Sequence, residues 1–268
     1  MKIINISDLH CEFRNSRLDY AIPECDVLIM AGDTDVGPVG LLNTAWALKQ
    51  VKKSRRPEVI YVLGNHEGYG RADFESMYRR FPELTREYHD LWGVNIHVLQ
   101  NSTTTIQGVD FLGGTLWTDF ALTGEQSEAM QQAPYRMNDY RHCKSQPGQL
   151  ITPAWILSEH QKTVDYLSDQ LIDPDHDRPQ VVVTHHLPTE KSIHANYHHA
   201  GRTNSYYASR LDPLIENSPN LRYWFCGHTH NSSQVQIGGC EVIVNPRGYP
   251  HDENPEYDPG LMVEIDAT

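Results

Sequence analysis

Residues 58–67 read Glu58-Val-Ile-Tyr-Val-Leu-Gly-Asn-His-Glu67, and the other informative parts of the chain are organised around the end of this stretch. The run 59–63 is rich in β-branched side chains and stops at Gly64. That is the pattern of a buried parallel strand closing in a tight turn. Asn65, His66 and Glu67 then stand just past the carboxyl end of a strand, where open α/β sheets carry their chemistry. A strand followed by polar turn residues is ordinary when it occurs once. Here it recurs.

Toward the N-terminus, the Ile-rich run 2–7 leads into Asp8-Leu9-His10, a carboxylate and an imidazole two residues apart. In extended chain such a pair points the same way and can serve one metal. The apolar run 26–31 closes on Gly32-Asp33, and a helical pattern over 40–53 returns the chain to the strand at 59. Strand, helix, strand is the unit of parallel sheet. It sets Asp8, His10, Asp33, Asn65 and His66 along one sheet edge. Toward the C-terminus, residues 71–92 read as a charged helix with Phe74, Tyr78, Phe81 and Leu84 facing the core. The runs 94–99, 103–106 and 109–113 read as short strands, expected to turn the middle of the chain into antiparallel sheet. Residues 116–144 show no clear period and read as a loop or helical excursion beside a pocket. Thr152-Pro153 starts a helix, with Thr152 as N-cap, and Ile156, Val164, Leu167 and Leu171 mark its buried face. The strand 180–184 ends in His185-His186, and the strand 223–226 ends in Gly227-His228-Thr229-His230. Runs at 234–237, 241–245 and 261–265 are expected to complete a second sheet.

No linker or repeat divides the 268 residues, so residues 1–268 are read as a single domain, with substrate-side insertions near 116–150 and 190–207. A hydrophobic share of 39% against 21% charged suits a globular protein and excludes general disorder. The formal charge of −13 argues against extended nucleic-acid binding, which needs Lys and Arg along a surface. Phosphate substrates remain compatible, because bound divalent cations reverse the local field of an acidic pocket. The five cysteines are odd in number and lack Cys-x-x-Cys spacing, which fits a reduced, intracellular setting. No apolar run has the length of a signal peptide core or a membrane span, so a cytoplasmic location without membrane contact is expected.

Five separate strand ends therefore deliver Asp, Asn or His, and none delivers Lys or Arg there. Nitrogen and carboxylate donors without thiolates suit first-row divalent metals, and seven candidate ligands exceed the needs of one ion. The blocks Asp8-Leu9-His10, Gly32-Asp33, Gly64-Asn65-His66-Glu67, His185 or His186, and Gly227-His228-Thr229-His230 resemble, in order, the pattern of the calcineurin-like metallophosphoesterase superfamily. The resemblance spans residues 3–230. It implies an α/β (α+β) fold, a four-layer α-β-β-α sandwich of two mixed sheets flanked by helices. It also implies two divalent ions per chain, with Asp8, His10, Asp33 and His230 holding one and Asp33, Asn65, His185 and His228 the other, so that Asp33 bridges. His185 and His186 are adjacent and only one should face the metal; His185, directly after the apolar strand, is favoured. His66 is implied to contact substrate oxygen and assist the leaving group. Glu67 would orient His66 or a ligand, or else serve as a helix N-terminal carboxylate.

The activity implied is hydrolysis of phosphodiesters, phosphomonoesters or both by attack of a metal-bridging hydroxide, with Mn expected first and Fe, Zn, Co or Ni as alternatives. The substrate would be a small phosphate ester or a nucleotide. Two other readings use the same core: a non-catalytic binding scaffold, which loss of ligands would mark, and a DNA nuclease, which the net charge disfavours. For substrate recognition the sequence offers Arg247, in a turn after the 241–245 strand, and His194, His198 and Arg202 in the segment before it. The competing reading ties Arg247 to a nearby Asp or Glu.

Overall fold

A computed structural model of the chain describes residues 1–14, 22–173 and 175–266. The opening strand β1 (Lys2–Ile6) is followed by β2 (Val27–Ala31), α1 (Val39–Gln50), β3 (Glu58–Val62), α2 (Phe74–Trp92) and β4 (Ile96–Val98). These four strands lie parallel in chain order. Helical crossovers cover a parallel sheet, so its strands are apolar on both faces. On β2, Val27, Ile29 and Ala31 turn one way while Leu28 and Met30 turn the other, and all five are buried. Helix α2 is well delimited at both ends. The Asp73 side chain accepts from the Ser76 N–H at 2.9 Å, and Gly93 closes the helix at φ 63°.

The hairpin β5 (Ser102–Ile106) and β6 (Val109–Gly114) opens the second half. It is followed by α3 (Gln126–Arg136), α4 (Asp139–His142), β7 (Lys144–Gln146), β8 (Gln149–Leu150), α5 (Pro153–Leu171) and β9 (Gln180–Thr184). After a 3-10 segment, Ala195–Tyr206, come α6 (Asp212–Glu216), β10 (Leu221–Cys226), β11 (Ser233–Ile237), β12 (Cys240–Val244), β13 (Gly248–Tyr249), β14 (Asp252–Glu253) and β15 (Met262–Glu264). The second large sheet runs β11-β12-β10-β9-β6-β5, parallel through β12, β10, β9 and β6 and antiparallel at both edges. Ile3, Val27, Ile29, Ile60 and Val62 of the first sheet share a core with Phe111, Val181, Val183, Phe225 and Ile243 of the second. The outer faces are closed by α1 and α2 on one side, through Leu41, Ala45, Met77 and Phe81. On the other side Leu167 and Leu171 of α5 pack with Val182, Trp224 and Val242. The result is the expected α-β-β-α sandwich of two mixed sheets. Among the described residues no helix is long and apolar enough to cross a membrane.

Two expectations need correction. β4 is parallel to β3, because α2 carries the chain back over the sheet and β4 re-enters in the same direction; alternation alone carries no strand direction. β15 pairs with β1 on the first sheet, not with the second. Beyond β12 the chain crosses between sheets at a bridge of Ser7 with Pro246 and reaches the free edge of β1. Residues 116–144 form the helical excursion beside a pocket, with α3 and α4, and their period is obscured because α3 buries only Ala129 and Ala133.

Candidate metal centre

β1, β2, β3, β9 and β10 deliver their polar ends to one side of the sandwich. Asp8, His10, Asp33, His228 and His230 all take left-handed backbone conformations, with φ of 52°, 45°, 53°, 73° and 53°. Non-glycine residues in this region cost of order 1–3 kcal/mol each and persist where the surroundings over-determine them. Here the loops are tied to one another. The Asp8 N–H donates to Gly32 O and the His10 N–H to Asp33 O, each at 3.0 Å, and the Gly227 N–H donates to His185 O at 2.9 Å. Close approach explains two glycines in the motif. A Cβ at Gly64 would overlap Asp33 Oδ1, and one at Gly227 would overlap Asp8 Oδ2.

His10 Nε2 and His230 Nε2 lie 2.9 Å apart, with Asp8 Oδ1 at 4.0 Å from the first and 3.4 Å from the second. Asp33 Oδ2 is 3.8 Å from His10 Nε2, while its Oδ1 is 3.4 Å from His185 Nε2. Asn65 Oδ1 stands 3.0 Å from the same His185 nitrogen. Metal–ligand bonds of about 2.0–2.2 Å put neighbouring donor atoms roughly 3.0–3.5 Å apart, and the separations here run from 2.9 to 4.0 Å around that spacing. His228 Nε2 is buried without a hydrogen-bond partner among the described residues, an orphan that a cation would satisfy. Two donor groups emerge, Asp8 with His10 and His230, and Asp33 with His185 and His228, and a third set of His10, Asp33 and His66 connects them. All seven metal-ligand candidates converge, and their oxygen and imidazole donors fit two divalent ions. His185, whose Nδ1 faces Ala31 O at 2.9 Å, stands in this cluster. The neighbouring His186 instead lies against Trp117 and His228, with ring centroids 5.1 and 4.0 Å away.

Burial opposes the charge on Asp33, but the imidazoles of His185, His66 and His10 hold its carboxyl well below the usual range. Burial drives His228 well below its ordinary pKa, leaving the neutral imidazole that ligation requires. For His66 burial works the other way from its neighbours: the carboxylates of Asp33 and Glu12 outweigh it and raise the metal-free pKa to about 9.

His66 lies flat on Tyr69, with centroids 4.0 Å apart, and its Nδ1 faces Glu12 Oε1 at 2.8 Å. Its Nε2 faces the Tyr249 hydroxyl at 3.2 Å. Glu67 does not touch it. The Glu67 carboxylate accepts from the backbone N–H groups of Asp33, Thr34 and Gly64 at 3.0, 3.0 and 2.7 Å, and from the Tyr61 hydroxyl at 2.9 Å. It holds two ligand loops together. Glu67→Ala would leave those buried donors unpaired, at about 1–3 kcal/mol for each group that water cannot reach. We expect at least about 2 kcal/mol of lost stability, read from the urea midpoint; an unchanged midpoint would remove this role. Asp139 plays a related part, accepting from Asn65 Nδ2 at 2.8 Å and from Tyr69 at 2.7 Å, so that the Asn65 oxygen faces the cluster.

A cavity of about 460 Å³ opens beside the cluster, lined among others by Tyr69, Arg136, His194, Tyr197, Tyr207 and Tyr249. Of the four substrate candidates named from sequence, only His194 lines it. Arg247 Nε is 3.4 Å from Glu253 Oε1 and Arg202 is paired with Glu125 at 2.8 Å, while His198 Nε2 faces Ile193 O at 2.9 Å. The competing reading of Arg247, a turn residue tied to an acid, is what the structure contains. Sequence reasoning did not single out Glu12, Asp139, Tyr69 or Tyr249. Glu12 stands two residues past His10, as His10 stands two past Asp8, and that spacing was its only signal.

Residues 1–232 match the family model described as calcineurin-like phosphoesterase. An uncharacterized protein of Acanthamoeba polyphaga mimivirus is 25% identical over 291 aligned positions, which cover 99% of this chain and 98% of the relative. Among solved structures, a phosphopantetheinyl hydrolase from Mycobacterium tuberculosis superimposes with a TM-score of 0.64 at 21% identity, covering 93% of this chain and 90% of the other. A dimetal phosphatase from Danio rerio gives 0.53 at 12% identity, covering 93% and 88%. At such identities the two structures are evidence for the fold.

Proposed function

Because the chain belongs to the calcineurin-like phosphoesterase family, we propose that it is a dinuclear-metal-dependent hydrolase of phosphodiesters, phosphomonoesters or both. The observation that carries this reading is Asp33, whose two carboxylate oxygens face separate imidazole donors, Oδ2 toward His10 and Oδ1 toward His185. Asp8, His10, Asp33 and His230 would hold one ion, and Asp33, Asn65, His185 and His228 the other. When bound, two such ions would supply positive charge for the phosphoryl oxygens and would activate water for attack near neutral pH.

The remaining work falls to side chains. His66 carries a proton at Nε2, facing the cavity beside Tyr249, where it can be given to a departing oxygen. Tyr69 fixes the plane of that imidazole. The buried strand ends exclude bulk water from Asp8, Asp33 and His185. We assign substrate selection to the two segments that wall the cavity, within 116–150 and 190–207 of a single domain, with His194 as the contact retained from the sequence reading. Manganese and a reduced, cytoplasmic setting belong to the same proposal.

The test is a substrate panel on metal-stripped protein with and without added Mn²⁺: p-nitrophenyl phosphate, its bis ester, cyclic nucleotides, single-stranded DNA and a phosphopantetheinyl diester, the group named for the Mycobacterium tuberculosis structure. Metal-dependent turnover of at least one ester is expected. Bound metal with no turnover of any of them would contradict the reading.

A further inference from the structure

Glu12 lies in a short 3-10 turn, Cys11–Phe13, that begins immediately after the left-handed His10. Its side chain is 10% exposed, and one oxygen of its carboxylate serves two imidazoles: Oε1 is 3.1 Å from His10 Nδ1 and 2.8 Å from His66 Nδ1. Its other oxygen is buried and has no hydrogen-bond partner among the described residues. An ionised carboxylate only accepts, so both Nδ1 atoms must carry hydrogen. In a neutral His10 this leaves Nε2 as the lone-pair nitrogen, and in a protonated His66 it leaves the Nε2 proton as the one free to be given away. The two Nε2 atoms are the ones that face the site, His10 toward His230 at 2.9 Å and His66 toward the Tyr249 hydroxyl at 3.2 Å.

We infer that Glu12 is a positioning residue shared by a metal ligand and the leaving-group acid, holding the Nδ1–H of both His10 and His66 through a single oxygen atom. This rests on the phosphoesterase reading above and goes beyond it. The His66 ring plane is already held by its stacking on Tyr69, so Glu12 is left to hold the Nδ1 proton, which makes the Nε2 proton the one available to a departing oxygen. On the His10 side the same oxygen supplies the outer hydrogen bond that makes a ligating imidazole a better donor, an effect worth about 10–100-fold in metal affinity or activity. One carboxylate therefore couples how tightly an ion is held to how well the acid is aimed.

The experiment compares wild type, Glu12→Met, Glu12→Gln, His66→Ala and the Glu12→Met/His66→Ala double variant. Mn²⁺ dissociation constants are read by titration, and kcat and KM are read at saturating Mn²⁺. Glu12→Met keeps the length of the side chain and removes the acceptor. It should weaken one of the two Mn²⁺ ions by about 10–100-fold, and lower kcat with little change in KM. In the His66→Ala background its effect on Mn²⁺ should persist while its effect on kcat disappears. Glu12→Gln keeps an acceptor oxygen and should recover most of both readouts. The inference is overturned if Glu12→Met binds Mn²⁺ and turns over like wild type, if Glu12→Gln does no better than Glu12→Met, or if the kcat loss is undiminished in the His66→Ala background. A wild type that holds fewer than two ions or hydrolyses no phosphoester would instead defeat the underlying reading.

Discussion

Asp33→Asn is expected to strip metal from both positions and to lower kcat/KM by about 10³-fold or more. Asp33 is buried, with one oxygen toward the His10 side and the other toward the His185 side, so it is the only described group that reaches both donor sets through separate atoms. An amide offers one neutral oxygen and presents N–H hydrogens where the second ion would stand. It also removes the negative charge that offsets repulsion between two dications. Two ions contribute several kcal/mol of transition-state stabilisation, and each 1.36 kcal/mol is about a factor of ten in rate. Elemental analysis and steady-state kinetics on the same preparation read both effects. A variant that keeps two ions and turns over within about tenfold of wild type would show that Asp33 does not bridge.

His66→Ala should separate binding from chemistry. Its imidazole is held by Glu12 and Tyr69 rather than by a carboxylate that both ions need, so the ions should largely remain. Loss of general-acid help lowers turnover by about 10²–10⁴-fold, most where the departing oxygen is basic. Alkyl esters should therefore suffer more than p-nitrophenyl esters, whose leaving group departs with little assistance. Equal losses across the two would mean that His66 positions substrate without donating a proton.

The sequence made the strand ends legible because each is a local signal: an apolar run, a break at glycine, then Asp, Asn or His. Asp8, His10, Asp33, Asn65, His66, His185, His228 and His230 could be named from such runs, and the structure gathers them in one cluster. What stayed hidden depends on distance along the chain. Tyr249 meets His66 across 183 residues, from the small hairpin of β13 and β14, and Asp139 meets Asn65 across 74. Glu12 was hidden for a different reason, since its direction follows from the left-handed turn at His10 and the 3-10 turn after it, neither of which an alternation rule anticipates. From sequence Glu67 is expected to orient His66 or a ligand, and of these the structure contains the second, through the loop that carries Asp33. The Glu67 carboxylate turns inward to four buried donors, because unpaired backbone N–H groups in the ligand loops are the stronger demand. The place of Arg247 after a strand leaves open both a cavity contact and a tie to an acid, and Glu253, across the same hairpin, takes the guanidinium. The direction of β4 and the partner of β15 are likewise properties of crossovers, not of the strands themselves.

The measurement that bears most directly on the account is the metal stoichiometry of the wild-type protein after stripping and reconstitution with Mn²⁺, determined by elemental analysis against protein concentration. The two donor groups that meet at Asp33 predict two ions per chain. A value that stays below one ion per chain would contradict the dinuclear centre and the mechanism built on it.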